Sequence, residues 1–358
     1  MKYTNKMLLK GNEAVIYGAL LAGCDSYFGY PITPASEIAH SAALLFPRLG
    51  RVFLQAESEI GAINMVLGAS ATGRRTMTAS SGLGISLKQE GVSYIAGSNL
   101  PAVIVDITRG GPGLGNIGPE QSDYNQVVKG GGHGSYRCIV LAPGSVQEMC
   151  DLTVLAFDLA DKYRIPVYVM ADGVIGQMME SLTLPEPVEG KRELPEWSLD
   201  PTKDRKNMIT SIFLKHDKLE EINIALQEKY QLISDKEQRV EEYLTEDAEV
   251  VLVAYGICAR LAHSAVEVLR EKGVKAGMIR PITLFPFPVD ALKKAKKKAK
   301  LFLSVELSCG QMIDDIKLTL ECSVPVKLIN RMGGNIPTID EVVERSLNAI
   351  NELKEDGK

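Results

Sequence analysis

Two glutamates, Glu57 and Glu59, stand in "LQAESEIGA", where an apolar run gives way to helical spacing. In an open parallel sheet such strand-to-helix corners line the ligand crevice, and an acid there is also favoured by the helix dipole. Glu57 reads as a surface or capping residue. Glu59 is followed by Ile-Gly-Ala, whose small residues let a ligand approach closely. Three other corners have chemical potential. In "GYPITPASEIAH", Pro31 biases Tyr30 toward extended backbone, and Thr33 before Pro34 reads as a helix N-cap. Its capping box is imperfect, with Ser36 at the third position and Glu37 one residue late. "TASSGLGISL" sets Ser80 and Ser81 before two glycines at a helix start, a site for an anion or a backbone contact. "DITRGGPGLGNIGPEQSDYNQ" puts Arg109 at the base of a glycine loop, where a guanidinium could hold a carboxylate bidentately.

Other chemistries find less support. Gly113, Gly115 and Gly118 satisfy G-x-G-x-x-G, but they follow roughly the fourth strand and Pro112 and Pro119 interrupt them. A dinucleotide fingerprint opens the first βα turn, with an acid ending the next strand, and "RCIVLA" ends without one. Ser80 and Ser81 lack a GxSxG frame, and His40, His133, His216 and His263 show no triad spacing. No Cys/His cluster has ligand spacing and no glycine segment ends in Gly-Lys-Ser/Thr, so no metal site is expected on this chain.

The elements that must hold these corners are those of an α/β protein. "RVFLQ", "RTMTA", "PAVIVDIT", "RCIVLA" and "IPVYVMAD" are short strand runs separated by helix-like stretches. Continuous apolar strands joined by helices predict a mostly parallel sheet covered on both faces, in a unit that closes near Asp172. Expected boundaries are 1–183 for this unit, 184–246 for a proline-rich arm and helices, and 247–358 for a smaller α/β domain with strands "EVVLVAYG", "KAGMIR", "KLFLSVE" and "VPVKLIN". Trp197, the only tryptophan, reads as packing the arm onto a domain. Leu292, Ala295 and Ala299 share a helical face, which puts the run Lys293 to Lys300 on the solvated side.

With 358 residues, 45% hydrophobic and 24% charged, the chain has room for two cored domains. A net charge of −5 gives no reason to expect nucleic acid. No apolar run reaches about 18 residues, so no membrane span is expected, and "MKYTNKMLLK" is too short and charged for a signal peptide. Six scattered cysteines without a CxxC pair read as buried thiols in a reducing compartment, the cytoplasm.

The ordered set "YPITP", "ESEIGA", "TASSGLG", "DITRGGPG" and "EQSDYNQ", continued by "AYGICAR", "RPITLFPFP" and "VELSCGQM", resembles the alpha subunits of the 2-oxoacid:ferredoxin oxidoreductases. Within them the 2-ketoisovalerate (3-methyl-2-oxobutanoate) branch is most similar. The resemblance implies a pyrimidine-binding domain like that of thiamine diphosphate enzymes, followed by a transketolase C-terminal-like domain. It implies that Glu59 hydrogen-bonds N1′ of the aminopyrimidine and favours the imino tautomer that deprotonates thiazolium C2. Thr33 would lie beside the substrate carboxylate or carbonyl and Arg109 would bind that carboxylate, while Pro31, Ile32, Ser81 and Gly82 border the cofactor.

The same resemblance implies thiamine diphosphate shared with a beta subunit that brings Mg²⁺ and a 4Fe–4S cluster. Gamma and ferredoxin-like delta subunits, ferredoxin and coenzyme A complete the expected partners. Because the chain ends after two domains, it reads as one subunit of a complex. Lacking the extra N-terminal domain of some 2-oxoglutarate-specific subunits, it leans toward branched-chain 2-oxoacids, with 2-oxoglutarate and then pyruvate as alternatives. A nicotinamide-dependent dehydrogenase and a non-catalytic scaffold subunit are the competing classes.

Overall fold

The computed structural model describes residues 3–185, 193–200 and 206–356. Its first half runs β1 (Tyr3–Lys10), α1 (Gly11–Leu21), β2 (Ser26–Gly29), α2 (Ser36–Leu45), β3 (Val52–Gln55), α3 (Glu59–Ala71), β4 (Thr76–Ser80), α4 (Leu83–Gly97), β5 (Ala102–Thr108), α5 (Tyr124–Val128), β6 (Ile139–Leu141), α6 (Val146–Tyr163), β7 (Pro166–Asp172), α7 (Gly173–Gln177) and β8 (Met179–Pro185). The second runs α8 (His216–Lys236), β9 (Val240–Tyr243), β10 (Val250–Ala254), α9 (Gly256–Glu271), β11 (Ala276–Pro281), β12 (Thr283–Phe285), α10 (Val289–Ala295), β13 (Leu301–Glu306), α11 (Met312–Thr319), β14 (Val326–Asn330) and α12 (Ile339–Asp356).

Six parallel strands in the order β6-β7-β5-β4-β2-β3 form the larger sheet. β5 and β7 are buried along their whole length, which is why "AVIVDIT" and "PVYVMAD" run apolar without alternation. β3 and β4 flank β2 on opposite sides. The connections around β2 therefore leave in opposite directions, and a crevice opens there at the carboxyl ends of the strands.

The smaller sheet has the order β14-β13-β10-β11-β9, parallel except for β9. Its two faces serve different cores. Leu252, Ala254, Met278, Leu303 and Val305 pack with Ala262 and Val266 of α9 and with Val342 of α12. Val251, Val253, Ile279 and Phe302 join the core of the larger sheet. The strand period of two thus welds the halves together through one face of β10, β11 and β13.

Several local expectations change. The first unit does not close at Asp172, because β8 follows and pairs antiparallel with β1. β12 comes from the second half yet pairs with β6 of the larger sheet, with Thr283 opposite Leu141. Among the described residues, the stretch before the smaller domain holds one helix, α8, and then β9, an edge strand of the smaller sheet. Cys24, Cys138, Cys150 and Cys258 are buried thiols, but Cys309 and Cys322 are exposed because they lie in loops beyond β13 and α11. Within the arm, 186–192 and 201–205 lie outside the described residues. Trp197 does pack onto the first half, its ring 4.4 Å beneath the Arg164 guanidinium. Leu292, Ala295 and Ala299 are buried, while Lys294 and Lys300 reach Glu242 and Glu249. Among the described residues, no helix is long and apolar enough to cross a membrane.

Candidate functional site

The carboxyl ends of β2, β3, β4 and β5 deliver all four corners to one edge of the larger sheet. After β3, the Ser58 hydroxyl accepts the Gly61 N–H at 3.1 Å and starts α3, with Glu59 as its first residue. Ser58, not Glu57, is the cap. Glu57 is exposed and Glu59 is 6% exposed. The Glu59 carboxyl lies over Gly84, where an added Cβ would stand 2.7 Å from Glu59 Oε1 and 2.1 Å from Ser80 Oγ. Only a bare backbone fits beneath the acid. α4 follows Gly82, which takes φ +48. The hydroxyls of Ser80 and Ser81 beside it are buried without a partner among the described residues. Lys88, wholly buried on α4, donates to the Glu59 carbonyl at 3.4 Å. Burial draws its ammonium down to about 8, against the opposing pull of Glu59.

Thr33 is not the N-cap of α2. Ala35 N donates to Ile32 O at 2.9 Å, closing a turn through the cis Thr33–Pro34 peptide, and α2 opens only at Ser36. Amides from neighbouring helices fix that turn: Pro34 O accepts Asn12 Nδ2 (2.7 Å) and Gln177 Nε2 (3.1 Å). The same two side chains donate to Glu37. Thr33 is therefore exposed at the crevice, with Pro31 exposed and Ile32 half-buried before it. Arg109, beyond β5, donates through Nη1 to Thr33 O (2.9 Å) and through Nη2 to Leu114 O (3.0 Å). Its Cγ lies 3.6 Å from the position of a Cβ on Gly82. Thr33, Arg109 and Gly82 thus meet directly, and Glu59 and Ser80 join them through Gly84.

A cavity of about 920 Å³ opens beside Gly82 and Arg109, closed by the glycine loop, Asp123 and, from the second half, Cys309, Gln311 and Met332. Among the described residues lining it, Arg109 is the one basic side chain. Gly113, Gly115 and Gly118 lie in the exposed loop and open no helix, so the dinucleotide reading fails on geometry. The loop is stapled to the second half instead. Glu120 accepts the N–H groups of Gly111 (2.7 Å) and Gly333 (2.9 Å), and Gln121 N donates to Leu307 O at 2.7 Å. Sequence reasoning missed Glu120, Asp123, Cys309, Gln311 and Met332. One signal was present: "VELSCG" and "LINRMGG" each end a strand and reach glycine, like the corners of the first half.

A doubly wound sheet with a buried acid, an arginine and glycine-bared backbone at its switch point defines a cofactor-binding α/β enzyme chain. Residues 17–246 match the family model "Pyruvate flavodoxin/ferredoxin oxidoreductase, thiamine diP-bdg", and residues 248–342 match "Pyruvate:ferredoxin oxidoreductase core domain II". The chain belongs to the thiamine-diphosphate-dependent 2-oxoacid:ferredoxin oxidoreductase family. It is 60% identical over 339 residues to ketoisovalerate oxidoreductase subunit VorB of Methanothermobacter thermautotrophicus, covering 94% of this chain and 96% of that one. Against 2-oxoglutarate synthase subunit KorA of the same organism the identity is 38% over 372 residues, covering 96% and 99%. The 2-oxoglutarate:ferredoxin oxidoreductase from Magnetococcus marinus, solved with 2-oxoglutarate, coenzyme A and succinyl-CoA bound, superposes with a TM-score of 0.87 at 29% identity. That match covers 96% of this chain and 65% of that one.

Proposed function

We propose that the chain is the alpha-type subunit of an oxidoreductase that converts 3-methyl-2-oxobutanoate and related branched-chain 2-oxoacids, with coenzyme A, to acyl-CoA, CO₂ and reduced ferredoxin. The observation that carries this reading is the buried Glu59 over the Gly84 cradle, in a chain 60% identical to a ketoisovalerate oxidoreductase subunit. When bound, thiamine diphosphate supplies the electron sink that decarboxylation requires. The residues present fit its aminopyrimidine: a secluded acid, two orphan hydroxyls at Ser80 and Ser81, and a floor that a single Cβ would fill.

In this reading Glu59 holds a proton at N1′ of the ring, in a dry setting that strengthens the bond. Pro31, Ile32, Ser81 and Gly82 would border the ring. Arg109 turns its two Nη groups from the carbonyls of Thr33 and Leu114 to the substrate carboxylate, and the Thr33 hydroxyl donates beside it. A distal carboxylate would need a second cation. Arg75 is committed to Asp158 and Asp161, Arg74 to Asp25, and Lys129 to Asp315, which favours a substrate with an apolar tail.

A beta subunit brings the Mg²⁺–diphosphate site and the 4Fe–4S cluster, gamma and ferredoxin-like delta subunits complete the assembly, and electrons leave for ferredoxin through clusters on other chains. Tyr30, Leu44, Leu54, Ile60 and Leu87 stand exposed around the Glu59 edge, where β3 ends the sheet. An apolar rim on an open sheet edge is a surface that a partner covers. The domains take limits near 1–183, 184–246 and 247–358, with β9 at the end of the arm joining the smaller sheet and β12 tying the second half to the larger one, and the complex works in the cytoplasm. Steady-state comparison of 2-oxoacids in the reconstituted complex, with coenzyme A and a viologen acceptor, tests the assignment. One methylene in an apolar pocket is worth about 1–3 kcal/mol, so branched-chain acids should overlap. A kcat/KM for 2-oxoglutarate above that for 3-methyl-2-oxobutanoate would overturn the substrate.

A further inference from the structure

Asp106 stands in the middle of the apolar strand β5 and is wholly shielded from solvent. Among the described residues, both of its carboxyl oxygens are buried without a hydrogen-bond partner, and Asp123 Oδ2 is in the same position. The two carboxyls face each other beside the Gly82 backbone N–H. Two facing carboxylates shielded from water resist ionising together, and one proton between them joins Asp106 to the orphaned Asp123 Oδ2.

Their placement gives the bridge a task. Asp106 is fixed in the sheet, in register with Ser80 of β4. Asp123 ends the loop that Arg109 begins. Above the pair, the loop base is closed by the Arg109–Pro119 bridge, by Gly110 N donating to Gly118 O (2.9 Å), and by the Thr108 hydroxyl on Glu120 O. Below it lies the Gly82 turn, against which Arg109 packs.

We propose that Asp106 and Asp123 hold one proton between them and, through it, act as positioning residues that fix the Gly82 turn and the Arg109 loop. Asp106 is the donor: burial, then the charge and hydrogen bond of Asp123, push its carboxyl well above the usual range. Burial also raises Asp123, to about 6. The other groups facing the pair are Glu120 and Arg109 from the loop, Tyr168 from β7 and Tyr255 before α9. Both tyrosines are buried with raised hydroxyls, so the loss of one proton from the two aspartates is the event that opens the bridge. Its consequence for the 2-oxoacid rests on Arg109 as the carboxylate ligand; the bridge itself does not.

Asp106→Asn, whose amide donates to Asp123 without titrating, is the decisive variant, with Asp106→Ala as the bridge-breaking partner. In the purified full chain, the infrared band of an un-ionised carboxyl should be present in the parent at neutral pH and absent in D106N. Hydrogen exchange of residues 110–119, corrected for intrinsic rates, should accelerate about tenfold per unit of pH above the shared titration in the parent and not in D106N. In the assembled complex, the KM for 3-methyl-2-oxobutanoate should rise over the same interval in the parent alone, with kcat changing less. A missing carboxyl band, or the same pH response of exchange in parent and D106N, overturns the proposal whatever the substrate. Bridge behaviour as expected with a KM indifferent to it overturns the positioning role, and an Arg109→Lys variant with unchanged KM places the fault in the carboxylate reading instead. Should D106A fail to fold, D106N alone still decides.

Discussion

Replacing Gly84 by alanine separates the stability of the fold from the position of its acid. Gly84 is the second residue of α4, where alanine is favoured over glycine by about 1 kcal/mol. Against that gain, the new Cβ meets Ser80 Oγ at 2.1 Å and Glu59 Oε1 at 2.7 Å, where ordinary contact starts at 3.4 Å. The Ser80 hydroxyl makes no hydrogen bond that would hold it and can rotate away. Glu59 sits at the first position of α3, so its carboxyl must retreat by about 0.7 Å. Overpacking of this kind costs about 1–3 kcal/mol, so the net effect on stability is small, about 0–2 kcal/mol. Catalysis is far more sensitive: a displacement of about 1 Å costs on the order of 100-fold. Thermal melts of the chain, read beside kcat in the assembled complex, should show a near-normal Tm with a severe loss of turnover. Gly68→Ala, on the exposed side of α3 with nothing within 4 Å, is the control and should keep full turnover. A G84A enzyme with turnover within about threefold of the parent, against the roughly 100-fold loss expected, would show that the position of the Glu59 carboxyl does not set the rate.

Three further outcomes are expected. Arg109→Lys replaces a planar fork by a point charge and should raise the KM for every 2-oxoacid, while Thr33→Val should lower turnover with little change in volume; steady-state kinetics checks both. Glu57→Gln should leave turnover nearly unchanged, since Glu57 is exposed and caps nothing; a loss comparable to that of a Glu59 variant would reverse the choice between the two acids. Stability should also report the buried aspartates. Asp106 and Asp123 titrate higher in the folded chain than their ordinary 3.8, so the native state binds more protons and their contribution falls as pH rises above 3.8 and past about 6. The Tm advantage of D106N over the parent should therefore widen with rising pH.

The sheet was legible because β5 and β7 are buried on both faces and carry unbroken apolar runs. The corners were legible because Ser81 and Arg109 directly follow β4 and β5, and Glu59 opens α3 shortly after β3. Other features are set by contacts distant in sequence. β12 is three residues long and owes its existence to pairing with β6, and no local pattern announces it. Thr33 failed as a cap because Asn12 and Gln177, remote in sequence, grip Pro34 and Glu37. Asp106 sits inside "AVIVDIT", where one acid does not disturb the strand pattern, and its partner Asp123 is reached only when the loop closes. The corners singled out in the sequence all lie in the first half, yet the ends of β13 and β14 carry Cys309, Gln311 and Met332 into the cavity beside Arg109.

On the proposed function, Glu59 manages the proton of a bound aminopyrimidine. The most direct test is the rate at which the cofactor's C2 hydrogen exchanges with deuterium in the assembled complex without substrate, for the parent and for Glu59→Gln. An amide preserves the volume but cannot share the proton, so exchange should slow by on the order of 100-fold or more while cofactor remains bound. Equal exchange rates in the two complexes, both fully loaded, would contradict the account.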